Sequence, residues 1–157
     1  MQVPQLNLFL AWLWILLGFA SGMILGMFFH EENWLGGYAS YKRRLYRLAH
    51  ISFFGLGVLN LCFYLSLRSL LVDGLWVALA GWALVCGALT MPLCCILMAQ
   101  SRRLLPIFAV PVLALLFGGA VTCGLVLRSQ TTFEASGKLS ASPSAADPQP
   151  HNLSGPF

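Results

Sequence analysis

Leu75 to Gln100 reads LWVALAGWALVCGALTMPLCCILMAQ and Leu104 to Leu127 reads LLPIFAVPVLALLFGGAVTCGLVL, with only Ser101-Arg102-Arg103 between them. Neither run contains a charged side chain. At 1.5 Å of rise per residue each is long enough, as a helix, to cross about 30 Å of hydrocarbon. A link this short makes the two helices antiparallel neighbours. The pair therefore predicts two membrane spans.

The same reading extends toward the N-terminus. No charge occurs before His30, and Leu6 to Phe29 is another run of spanning length. A signal peptide has a basic start and a shorter apolar stretch, so this segment is expected to stay in the membrane. Ile51 to Leu67 is shorter. It reaches spanning length when Leu70, Leu71 and Val72 are added and Arg68 extends its head to the interface, and Asp73-Gly74 then supplies a turn. The expected architecture is all-α. It is an antiparallel four-helix transmembrane bundle occupying residues 1–128, with spans near 6–29, 50–72, 75–100 and 104–127.

Composition agrees. The chain is 59% hydrophobic and 9% charged, against about 25% charged in soluble domains, too few charges to cover a water-facing surface. Beyond Arg128 the sequence turns to Ser, Thr, Ala, Pro and Gly, and 129–157 is expected to be a disordered polar tail because it cannot bury enough apolar surface to offset its ordering entropy. Asn152-Leu153-Ser154 matches a glycosylation acceptor, a pattern that arises often by chance.

Net charge is +4, but the nine Lys and Arg residues do not form a nucleic-acid patch. Lys42, Arg43, Arg44 and Arg47 fall in the first connection and Arg102 and Arg103 in the third. Only Arg68, Arg128 and Lys138 lie on the other side. This asymmetry places the first and third connections in the cytoplasm and both termini outside. Cys62, Cys86, Cys94, Cys95 and Cys123 all lie within apolar runs, where they read as reduced, small apolar residues.

Helices associate in lipid through close backbone approach and interhelical hydrogen bonds. Gly18, Gly22 and Gly26 make a small-residue stripe on the first span, with Ser21 beside it. Gly55 and Gly57, Ala83 and Gly87, and Ala114, Gly118 and Gly119 offer similar surfaces on the others. These residues suit a compact bundle, or a seam left open for a partner. Asn60 is the costliest polar group at depth and is expected to bond to another helix. Pro92, Pro106 and Pro111 are expected to kink the third and fourth spans. Trp12, Trp14, Trp34 and Trp76 read as interfacial indoles.

No carboxylate lies at mid-depth, which excludes a proton relay built on buried Asp or Glu. No nucleophile and base pair or phosphate loop stands out, so an enzyme of soluble type is not expected. Two constellations suggest cofactor chemistry. His30 and His50 bracket the first connection, and at one depth on antiparallel helices they could ligate haem or a metal ion. Arg and Tyr residues of the run Tyr41 to Arg47 would then hold haem propionates. Met91, Cys94, Cys95 and Met98 share one face of the third span, a soft set suited to Cu(I). Against these stands the plainer reading: interfacial histidines, packing sulfurs, and a basic amphipathic segment with Leu45 and Leu48 as anchors beside anionic lipid. The sequence favours no cofactor. It points first to an accessory subunit or assembly factor for other membrane proteins, then to a haem or copper protein, and third to an oligomeric transporter or channel.

Overall fold

The computed structural model describes residues 3–70 and 73–140. The Leu71-Val72 extension of the second span, the Asn152-Leu153-Ser154 motif and the rest of the tail from 141 onward lie outside these residues. Four helices account for nearly all of the described chain: α1 (Val3–Met27), α2 (Tyr41–Leu70), α3 (Leu75–Gln100) and α4 (Ala109–Ser140). Short 3-10 segments, Trp34–Gly36 and Arg102–Phe108, lead into α2 and α4. Among the described residues there is no strand, and all four helices are long and apolar enough to cross a membrane.

α1 packs along α2, α2 along α3 and α3 along α4. α1 also reaches α3, whereas α4 meets α2 only lightly and has no contact with α1 among the described residues. The result is a three-helix core with α4 laid against α3. In the most apolar stretch of each helix, 50% of α3 is buried but only 11% of α4. Lipid tails are as apolar as leucine, so burial from water cannot hold these helices together, and shape and polar contacts must do so.

Shape is supplied by glycine. A Cβ on Gly18 would stand 2.9 Å from the Phe54 ring, and one on Gly22 would stand 2.8 Å from His50 Cε1. The first two members of the α1 stripe are thus filled by α2 of the same chain, while Gly26 has nothing within 4 Å. α3 and α4 interlock reciprocally: Leu115 sits over Gly87 and Leu84 over Gly118.

Several features differ from the sequence reading. Pro106 belongs to the 3-10 segment, and Pro111 lies in the first turn of α4. An N–H is unbonded in a first turn anyway, so these prolines shape the entry to the helix and do not kink its middle. Trp14 is a core residue, 7% exposed, halfway along α1. Leu45 is buried with Met98 and Ala99, not lipid-facing, because α2 begins as helix at Tyr41 and turns this residue inward. α4 continues as helix to Ser140, past the expected start of the polar tail, since extending a formed helix costs far less than nucleating one.

α3 runs through Pro92 without a break. Proline has no N–H to give the carbonyl four residues back, that of Ala88. The Trp14 indole Nε1–H donates to this carbonyl at 2.9 Å. A side chain of α1 thus satisfies the group that the proline frees in α3, as an apolar environment requires.

Candidate functional site

Polar and titratable groups gather at two levels. The first joins α1, α2 and α3. Asn7 is fully buried and its Nδ2 donates to Asn60 Oδ1 at 2.8 Å and to the Gly81 carbonyl at 3.3 Å. Asn60 Nδ2 donates in turn to the Leu56 carbonyl at 2.8 Å. Asn7 Oδ1 is buried with no hydrogen-bond partner among the described residues. It lies 3.1 Å from where a Gly81 Cβ would stand, so glycine there leaves room for the amide. Replacing Asn7 by Leu is expected to cost about 0.6–1.7 kcal/mol. The Asn7→Leu, Asn60→Leu double variant is expected to lose less than the sum of the single variants, because neither amide is then left alone. Unfolding in mixed detergent titrations reads this, and strictly additive costs would show that the two amides are not coupled.

The second level is the basic end, where residues 28–40 connect α1 to α2 through a succession of turns. Ser40 anchors this connection. Its Oγ accepts from the Arg43 backbone N–H at 3.2 Å, capping α2, and donates to the Leu35 carbonyl at 2.8 Å. Leu35 is held at φ 57° and ψ 26°, left-handed backbone that leucine rarely adopts. Among the described residues it is the only non-glycine with positive φ.

Arg43, one turn into α2, is only 4% exposed. Its guanidinium donates to the carbonyls of Phe29 and Glu31, both at 3.4 Å, just past the end of α1. The rings of Tyr38, Trp34 and Phe29 surround it at 5.0, 5.8 and 5.9 Å from their centroids. Arg47 lies 4.8 Å from the Tyr38 centroid. A buried cation is tolerated when its donors are used and aromatic faces supply negative potential. Arg43 therefore ties the connection to α2, and its donors are turned to backbone and not to an external anion.

His50 lies level with Ser21 and Gly22 of α1, and its Nδ1 is 2.9 Å from Ser21 Oγ. The Phe54 ring meets it edge-on at 5.4 Å. His30 is exposed beyond the end of α1. α1 continues six residues past Ser21, roughly 9 Å at 1.5 Å each, before the turns that carry His30 begin. The sulfur residues are dispersed into packing. Met91 lies against the cluster of Leu10, Trp14, Leu56, Val85 and Ala88, and Met98 joins Leu45 and Ala99. Cys95 is fully buried, and Cys94 Sγ is 3.8 Å from the Ile107 carbonyl. Ile96, not a sulfur residue, lines the cleft beside His50. No group of three or more His, Cys, Asp or Glu converges among the described residues.

Asn7 and Leu35 are consequential residues that the sequence does not single out, while Trp14, Ser21 and Arg43 make contacts other than those their sequence setting suggests. Asn7 carries a signal, as a carboxamide inside an uncharged span.

The chain matches no family model, and comparison with curated proteins and with solved structures finds no significant match. The sequence and geometry establish a multi-pass membrane protein of four apolar helices.

Proposed function

We propose that this protein is a small accessory subunit or assembly factor that acts by associating with other membrane proteins. The observation that carries this reading is the state of α4. It is held by α3 almost alone, and its outer side presents Leu113, Leu116, Ala120, Cys123, Gly124 and Leu127, all exposed. A Cβ added at Gly119 or Gly124 would meet nothing within 4 Å, so another helix can approach that backbone closely.

The polar groups support the same reading by being engaged within the chain. The buried carboxamides bond to each other, the Trp14 indole to Ala88, and His50 to Ser21. This gives less support to a haem or copper centre on His30, His50 and the Met91, Cys94, Cys95, Met98 face, or to a transport path beside Asn60. In this proposal the basic end faces the cytoplasm and both termini lie outside, following the distribution of Lys and Arg.

Extraction from native membranes in mild detergent is expected to yield the chain in a discrete complex with another membrane protein at fixed stoichiometry. Recovery as a lone monomer would contradict the proposal.

A further inference from the structure

Two clefts at the basic end share one residue. The first, about 360 Å³, is almost wholly apolar and runs between α1, α2 and α3, lined by Ile24, Leu25, Phe53 and Ile96, with Ser21 and His50 on its wall. The second, about 530 Å³, lies between the connection and the end of α3, and Ser40, Lys42 and Gln100 give it polar walls. Leu35, the residue held in left-handed backbone, lines both. Both volumes fall in the ordinary range of small-molecule sites, and strained residues concentrate where a ligand is held.

We propose that these clefts together bind one anionic phospholipid, with an acyl chain in the apolar cleft, its headgroup phosphate beside Lys42, and Leu35 at the junction. The charge of this end selects the headgroup. Lys42, Arg43, Arg44 and Arg47 occupy the first two turns of α2, and the link carrying Arg102 and Arg103 follows α3 at the same end. Arg43 is committed to backbone carbonyls, whereas Lys42 is exposed and lines the polar cleft. Glu32 lines a separate cleft with Phe29, Asn33, Tyr38 and Arg43, which shares no residue with these two. The occupant is amphipathic because the apolar cleft alone offers nothing to an ion and the polar cleft alone nothing to a chain.

The test reconstitutes the full chain in phosphatidylcholine nanodiscs carrying a trace of phosphatidylglycerol or phosphatidylcholine with a photoreactive group in the tail, and maps the labelled residues by mass spectrometry. Labelling of Ile24, Phe53 and Ile96 is expected to be about fivefold higher with phosphatidylglycerol, the ratio one lysine beside an anionic headgroup supplies. Lys42→Glu should reduce it to the phosphatidylcholine level. Ile96→Trp, which fills the apolar cleft, should remove it while circular dichroism shows the helices retained. Equal labelling by the two lipids, label spread over the outward faces at Leu93 and Leu97, or indifference to Lys42→Glu would each overturn the proposal. Loss of label on adding glycerol 3-phosphate would assign the polar cleft to a soluble phosphate and overturn it as well.

Discussion

Trp14→Phe is expected to destabilise the bundle by about 1–3 kcal/mol, the cost of a buried carbonyl left without its partner. Phenylalanine keeps an aromatic ring in the cluster of Leu10, Leu56, Val85 and Ala88 but has no N–H for the Ala88 carbonyl. The loss should be linked to Pro92. In a Trp14→Phe, Pro92→Ala chain, the new backbone N–H at position 92 can donate to Ala88 in the ordinary helical way. The double variant should therefore recover about 1 kcal/mol relative to the sum of the single ones. Mixed-micelle unfolding of the four proteins measures this coupling. Additive costs would mean that the indole contributes only its bulk.

The second large effect contrasts adjacent residues. A Cβ on Gly118 would meet Leu84 at 2.9 Å and the Ala80 carbonyl at 3.2 Å, and backbone cannot move aside as a flexible side chain can. A Cβ on Gly119 would meet nothing within 4 Å. Gly118→Ala is expected to cost about 1–3 kcal/mol, typical of overpacking, and Gly118→Val more. Gly119→Ala is expected to range from neutral to stabilising by about 1 kcal/mol, since the site is uncrowded and alanine is the better helix former. Because α4 rests on α3 alone for most of its length, the Gly118 variants should also loosen it, and Cys94, buried near Ile107, should become more reactive to maleimide. Equal costs at the two positions would contradict the interlocked packing of α3 and α4.

The spans are legible because a charge-free run long enough to cross a membrane has few other readings. What stays hidden is the partner of each polar or small residue. Asn60 announces itself as a carboxamide in mid-span, but its partner Asn7 is close enough to the start of α1 to pass for an interfacial residue. Trp14 reads as interfacial because indoles favour headgroups, a statistical preference that one bond to a proline-freed carbonyl outweighs. Gly18 and Gly22 read either as bundle packing or as a seam open to a partner, since a stripe of small residues does not record which helix fills it, and Phe54 and His50 do so from within the chain. Arg43 is indistinguishable in sequence from its exposed neighbours Lys42 and Arg44. Only the course of residues 28–40 around it brings Phe29, Trp34 and Tyr38 to its faces.

For the candidate site the limit is of the same kind. The helical spacing of Met91, Cys94, Cys95 and Met98 is legible, but not whether that face meets histidine or hydrophobic packing. In the fold, Met91 and Met98 join separate apolar clusters.

In the proposed function, another membrane protein docks on the open side of α4. Cys123 lies on that side, while Cys62 and Cys86 are exposed on α2 and α3, and Cys94 and Cys95 are buried. Three chains, each retaining one exposed cysteine with all the others changed to Ser, can be treated in native membranes with a short thiol-to-amine cross-linker and analysed by mass spectrometry. One discrete adduct with another membrane protein is expected from the Cys123 chain, and little from the Cys62 or Cys86 chains. Equal, diffuse labelling from all three, or no adduct from Cys123, would contradict it.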